Sequence, residues 1–287
     1  MNTKNMTQGD LDQYYSREKR QFLIVGDGYP FKVGDSPVVV GSKVVLSFDF
    51  HDTLTRFGER EMDRGDAGRI RDLVDELGKS IQVIPVVHSV GTILDLDDFE
   101  GWDMISDGYI WVNGDMHTTL LREDEINGIE KVLEFVEKAS DVQVLKKTPG
   151  SVLLELSSIP TVVDVYESNE TLTGQVVEFL GSGNLDDTVV WLNRKQNVLG
   201  IQARVSKNLI CERLVRQIGK DPGEFRYLHF GDHVPDIPWE GSQFAEEFLV
   251  VSKTSSSEVQ EYASVVSDKV SPEFVVEVLE GVLRNKV

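Results

Sequence analysis

The segment Ser47-Phe-Asp-Phe-His-Asp-Thr-Leu-Thr55 follows the apolar run Val44-Val-Leu46 and closes it with carboxylates, an imidazole and hydroxyls. A carboxylate at a strand end suits two tasks, nucleophilic attack and coordination of a hard cation through oxygen. Three later segments carry complementary groups. His88-Ser89 ends a second apolar run, Ser206-Lys207 opens an amphipathic stretch, and Gly231-Asp232-His-Val-Pro-Asp236 ends a third run. Carboxylates for Mg²⁺, with a lysine and hydroxyls for an anion, are the parts of one phosphate site.

Such parts meet only if the elements beneath them are parallel strands with their carboxyl ends on one side. Residues 44–50 and 81–87 read as buried strands. Between them Ile70, Leu73, Val74 and Leu77 recur at i, i+3, i+4 and i+7, which predicts a helix over 62–78 with Gly78 as its stop. Strand, helix and strand make a parallel βαβ unit. Pro85 fits the second strand only at an edge or a bulge. A third strand over 108–112 runs into the turn signal Asn113-Gly114. The texture then changes to a helix over 129–139 and apolar segments at 152–156, 161–166 and 188–192, with a loop at Gly181–Asp187, the pattern of an α+β insertion. The parallel pattern resumes with a helix over 207–218, strands at 226–230 and 248–252, and a last helix with Ser271 as N-cap and Pro272 in first position. The expected fold class is α/β. It has a doubly wound, Rossmann-like core over 41–112 and 201–287, an α+β insertion over 113–200, and an N-terminal extension over 1–40 whose Gly and Pro turns read as a hairpin.

The 287 residues allow a core with a sizeable insertion, and the formal net charge of −20 opposes the broad basic surface that nucleic acid needs. No apolar run approaches the roughly 20 residues of a membrane span. Residues 1–20 are polar, and the single Cys211 excludes an intrachain disulfide. A cytoplasmic protein without nucleic-acid or membrane partners is expected; its oligomeric state is open.

In order and context, these motifs resemble those of the haloacid dehalogenase superfamily of phosphohydrolases. Asp49-Phe-His51-Asp-Thr53 is similar to the first motif, Asp-x-Asp-x-Thr, except at its third position. Ser89 looks like the second motif, Lys207 the third, and Gly231-Asp232-His-Val-Pro-Asp236 the fourth. An insertion between the second and third motifs is similar to the α/β cap of the sugar-phosphatase branch, which includes trehalose-phosphate and sucrose-phosphate phosphatases and Cof-type hydrolases. The resemblance implies a Mg²⁺-dependent phosphatase of a small phosphorylated metabolite, a sugar phosphate by class. By that resemblance Asp49 attacks phosphorus and forms an aspartyl-phosphate. Asp49, Asp232, Asp236 and the backbone carbonyl of His51 hold the metal, and Thr53, Ser89 and Lys207 bind the phosphoryl group.

The departure is His51, where the family carries the aspartate that protonates the leaving group. Three readings stay open: an imidazole doing that work near neutral pH, adjacent Asp52 replacing it, or a fold retained with hydrolysis lost. The last reading makes the chain a module that binds a ligand or protein, and a further alternative is phosphoryl transfer of the phosphomutase type. Plain structural readings compete for each residue: a turn or cap for Asp49 and Asp236, a turn serine for Ser89, a solvated lysine for Lys207. Histidines 51, 88, 117, 229 and 233 gather near strand ends, yet their spacing fits no zinc signature. Cys211 lies on the apolar side of its helix and reads as core.

Overall fold

The computed structural model describes residues 22–25, 41–56, 61–89, 99–106, 108–112, 115–138, 143–148, 150–155, 188–193, 198–203, 205–233, 236–239 and 241–284. Its elements begin with β1 (Phe22–Val25), β2 (Lys43–Asp49), α1 (Arg64–Gly78), β3 (Gln82–Ser89), β4 (Asp103–Ser106), β5 (Tyr109–Val112), β6 (Asp115–Thr119) and α2 (Glu123–Glu137). They continue with β7 (Gln143–Thr148), β8 (Ser151–Glu155), β9 (Thr188–Asn193), β10 (Val198–Ala203), α3 (Lys207–Gln217), β11 (Arg226–Gly231), β12 (Glu246–Ser252), α4 (Ser257–Gln260), β13 (Val265–Ser267) and α5 (Glu273–Arg284). Two units divide the chain: Met1–Tyr29 with Leu121–Val205, and Pro30–Leu120 with Ser206–Val287.

In the second unit, the core, eight strands lie in the order β13-β12-β11-β2-β3-β4-β5-β6. The six from β13 to β4 are parallel, and β5 and β6 close the edge antiparallel. Successive side chains of a strand point to opposite faces. Val44, Leu46 and Phe48 of β2 therefore share one face, where they join a buried cluster with Ala67, Ile70, Val74 and Leu77 of α1 and Phe274, Val275 and Leu279 of α5. Burying each large member contributes roughly 1.5–3 kcal/mol. Phe48 stacks on Phe230 of β11, ring centroids 5.0 Å apart. Asp63 caps α1, its carboxylate accepting from the N–H groups of Gly65 (2.8 Å) and Asp66 (3.2 Å).

Several local expectations change in this unit. Gly78 is the last helical residue rather than a left-handed stop, and Lys79 closes the helix by donating its N–H to Glu76 and Leu77 carbonyls. Pro85 sits in an interior strand, but β3 acquires β4 as its second neighbour only from Val86 onward. Ser271 does not cap α5; its hydroxyl donates to the carbonyl of Asp52 instead. The core runs on to Leu120 instead of ending at 112 and resumes at Ser206 instead of 201. The reason is pairing: β6 adds to β5 in the core sheet, whereas β10 pairs with β8 and β9 of the insertion. The Asn113-Gly114 turn lies outside the described residues.

The first unit contains a five-stranded antiparallel sheet in the order β1-β9-β10-β8-β7. Ile129 and Val132 of α2 are buried, as are Val152, Leu154, Leu199 and Ile201 of the sheet. Gly128 permits close approach: a Cβ there would stand 2.7 Å from Thr188 Oγ1. Helix α2 starts with buried Glu125 reaching back to accept the backbone N–H of Arg122 at 2.8 Å and its side-chain Nε–H at 3.1 Å. Within the N-terminal extension, β1 pairs with β9. The remainder of the expected hairpin, the expected strand at 161–166 and the loop at 181–187 lie outside the described residues.

Candidate functional site

Parallel pairing brings strand carboxyl ends to one edge of the core sheet. Asp49 is the last residue of β2, in register with His88 of β3, and Phe48 is in register with Phe230 of β11. Ser89 is therefore one step beyond the partner of Asp49, and Asp232 follows the end of β11 directly. Lys207 is the first residue of α3, a position where a cation is unfavourable without an anion close by. The anions are present. Lys207 Nζ, on a residue only 5% exposed, donates to both Asp49 Oδ1 and Asp236 Oδ1. The solvated-lysine reading is thereby removed.

Asp236 is the hub of the cluster. Its Oδ1 accepts from Lys207 and faces His229 Nε2 at 3.2 Å, while its Oδ2 accepts the backbone N–H groups of Asp232 (2.8 Å) and His233 (2.9 Å). Both oxygens are thus committed to protein donors, and the carboxylate folds back over the end of β11. Gly231 is required by that fold-back, because a Cβ would meet Asp236 Cβ at 2.4 Å. From the next position of α3, buried Asn208 fastens the segment after Asp236. Its amide donates to Trp239 O (2.9 Å) and Glu247 Oε1 (2.9 Å), and its Oδ1 accepts the Trp239 N–H (3.2 Å).

Three carboxylates, the Lys207 ammonium and the His233 imidazole are crowded together out of water, and the titration behaviour follows from burial first and from their mutual charges second. Burial pushes Asp49 well above its ordinary range, with Asp236 and Asp232 adding to the shift and Lys207 opposing it. Burial raises Asp232 to about 6, against the pull of its partner His233. Asp236 moves the other way: burial would raise it, but Lys207 and His229 outweigh burial and hold it low. Burial likewise opposes the charge of Lys207, yet Asp236 and Asp49 more than compensate and raise its pKa. Cys211 is driven up to about 12 by burial, so it stays a neutral thiol of the core.

Oxygen atoms of Asp49, Asp232 and Asp236 all lie within 4.8 Å of one another, a set of hard donors suited to Mg²⁺. The raised pKa values of Asp49 and Asp232 fit the same group, since a bound cation would favour their ionised forms. Among the described residues this metal-capable set contains no histidine. Two buried polar atoms at the same sheet edge, Thr53 Oγ1 and His88 Nδ1, have no hydrogen-bond partner among the described residues. Buried polar groups are normally satisfied, so these mark positions for water or ligand.

The sequence-marked residues do not all converge. Asp49, Lys207, Asp232 and Asp236 form one bonded or oxygen-sharing cluster. Thr53 and Ser89 are buried but make no hydrogen bond to it among the described residues. His51 occupies the irregular helical turn Phe50–Leu54 with an exposed side chain, its ring edge-on to Phe50. The turn is re-aimed at Asp52, whose φ of 56° is left-handed, a conformation that aspartate tolerates better than most residues. The Asp52 N–H donates to Thr55 Oγ1 at 3.0 Å, and its charge is one of those that raise Asp232.

Sequence reasoning placed none of Ser47, His229 and Asn208 in the phosphate site. A usable signal existed for the first two: they are polar residues inside apolar strands, on the alternation that carries Asp49. His229 Nδ1 lies 3.0 Å from Ser47 Oγ, and the two residues are in register.

No protein-family model matches the sequence, and neither does any curated protein. Solved structures do resemble it. A trehalose-6-phosphate phosphatase from Aspergillus fumigatus superposes with a TM-score of 0.55 at 15% identity, covering 90% of this chain and 100% of that one. The sucrose-phosphatase of Synechocystis sp. PCC6803, in complex with sucrose and phosphate, gives 0.54 at 11% identity, with 85% and 97% covered. A Thermoplasma acidophilum protein gives 0.56 at 16% identity, with 84% and 98% covered. The chain shares the fold of these three structures. Within that fold, the four motif segments stand at the carboxyl edge of the core sheet, and the α+β insertion lies between the second and third of them in sequence.

Proposed function

We propose that this chain is a Mg²⁺-dependent phosphatase acting on a small phosphorylated metabolite through an aspartyl-phosphate on Asp49. The observation that carries this reading is the buried cluster in which Lys207 ties Asp49 to Asp236 while Asp232 stands within metal-sharing distance. The names of two structural neighbours, a trehalose-6-phosphate phosphatase and a sucrose-phosphatase, favour a sugar phosphate as the substrate class.

Asp49 and Asp232, with the backbone carbonyl of His51, would hold Mg²⁺; Asp236, its oxygens already filled, would support it through water. Bound there, the ion offsets repulsion between the Asp49 carboxylate and the phosphate dianion. An Asp49 oxygen attacks phosphorus as the ester P–O bond breaks, and the departing alkoxide takes a proton. Lys207 stays charged and balances the phosphoryl oxygens, while Thr53 Oγ1 and Ser89 donate to them. Water then attacks the aspartyl-phosphate, giving up a proton and releasing phosphate with Asp49 restored. His51 is the proton carrier of both half-reactions.

The exposure of His51 favours a second reading, a site that binds a phosphorylated ligand and turns over poorly. One experiment separates the two. Phosphate release is measured across sugar phosphates, nucleotides and p-nitrophenyl phosphate with and without Mg²⁺, using Asp49→Asn as control. Metal-dependent release abolished by Asp49→Asn supports the phosphatase, and none above that control sinks it. His51→Asp then reports on the proton carrier: lower activity marks histidine as the working acid and base, whereas a large gain marks the native site as impaired.

A further inference from the structure

We propose that His229 is a positioning residue of this site, orienting Asp236 and, through it, Lys207 and the backbone that presents Asp232. The inference rests on the phosphatase reading above and assigns a role to a histidine that lies outside the four motifs.

The geometry is that of a built support. His229 is 0% exposed on β11, its ring stacked on Tyr227 at 5.8 Å with planes 8° apart. Nδ1 lies 3.0 Å from Ser47 Oγ and 3.1 Å from Ser47 O, so the ring is pinned to β2 at one end. The other end, Nε2, faces Asp236 Oδ1 at 3.2 Å. An ionised carboxylate only accepts, so this contact requires a proton on Nε2; in the neutral ring Nδ1 then accepts from the Ser47 hydroxyl, and the Ser47 carbonyl, an acceptor itself, is a hydrogen-bond partner only of a doubly protonated ring.

Two donors therefore share Asp236 Oδ1, and they differ in stiffness. Lys207 arrives at the end of a four-carbon stem, whereas His229 is held by a central strand, a stacked ring and Ser47. The histidine sets the carboxylate plane; that plane then sets where Lys207 Nζ sits between Asp236 and Asp49. The same orientation keeps Oδ2 on the N–H groups of Asp232 and His233. Supports of this kind let a reactive group keep its place, and a misplacement of about 1 Å at a distance can cost roughly a hundredfold in rate.

The test compares His229→Leu with His229→Gln, whose amide nitrogen reaches the Nε2 position and still donates. Leu is expected to lower kcat about a hundredfold with KM within about threefold, and Gln to recover most of the loss. A purely packing role would give the reverse order, because Leu is the apolar substitute. In parallel, ¹⁵N–¹H spectra of histidine-labelled native protein are expected to show the His229 proton on Nε2, with a signal that shifts in Asp236→Asn. A kcat for His229→Leu within twofold of native, a Gln variant no better than Leu, or a proton on Nδ1 with none on Nε2 overturns the proposal. Absence of phosphate release from the native chain would defeat the phosphatase reading alone, and the spectra would still decide the orientation of Asp236.

Discussion

On the face of β2 that carries Val44, Leu46 and Phe48, helices α1 and α5 close the sheet with apolar side chains throughout. On the opposite face, which carries Val45, Ser47 and Asp49, α3 brings Lys207 and Cys211 against His229 and Tyr227, and a buried polar cluster sits beside apolar side chains. Both faces belong to the same strand, one residue out of phase. The apolar face is stabilised by area removed from water and tolerates no charge. The polar face gains little from area and depends on each donor finding its acceptor. The first supplies a rigid floor; the second spends that rigidity on three carboxylates that repel one another.

The strongest way to break this comparison is to remove the shared cation. Lys207→Met removes the cation that Asp49 and Asp236 share, and metal-free protein should lose about 3–5 kcal/mol in urea denaturation. A loss under about 1 kcal/mol would mean that the carboxylates are not held by Lys207. Phe48→Ala on the other face should cost about 3–4 kcal/mol by cavity formation. The stabilisation conferred by Mg²⁺ should then match that of native protein, since no charged group has moved; a changed Mg²⁺ response would show that the faces are not independent.

Magnesium itself sharpens the contrast with a smaller effect. At about a hundred times its dissociation constant it should add about 2.7 kcal/mol of stability, read as a rise in melting temperature. Because Asp232 titrates at about 6 in metal-free protein, protons compete with the ion below that pH. The rise should therefore be large at pH 7.5 and shrink as pH falls through about 6. Without metal, the raised pKa of Asp232 contributes stability that is complete below its ordinary value of 3.8 and lost as pH climbs through 6. The depressed Asp236 contributes in the opposite sense, losing its share only as pH falls below the ordinary carboxylate range. A Mg²⁺ response independent of pH between 5.5 and 7.5 would exclude Asp232 as a ligand. The smallest expected effect belongs to Ser271→Ala, which removes the hydroxyl bond to the Asp52 carbonyl and should cost about 1 kcal/mol.

Much of the core was legible in the sequence because its signals are local. Ile70, Val74 and Leu77 recur at helical spacing, and the Val44–Phe48 run is too short and too apolar for anything but a buried strand. The four motif segments were legible for the same reason: each lies within a few residues of a strand end or helix start. Strand allocation was not. The sequence pattern marks no strand at 115–119 or 198–203, and hydrogen-bond pairing adds the first to the core sheet and the second to the insertion. Ser271 has the composition of a cap, yet its hydroxyl is used 219 positions away.

By itself, then, the sequence determined the α/β class, the order of the motifs and the residue types available for phosphate chemistry, since composition and period are properties of neighbouring residues. The tertiary structure alone decided which of those residues meet. Lys207 reaches Asp49 across 158 positions, Asp236 fills both of its oxygens with protein donors, and His229 becomes a partner of Ser47 182 positions away. These contacts follow from parallel register and from the burial that makes an unpaired charge costly, and neither is written in any local stretch of the chain.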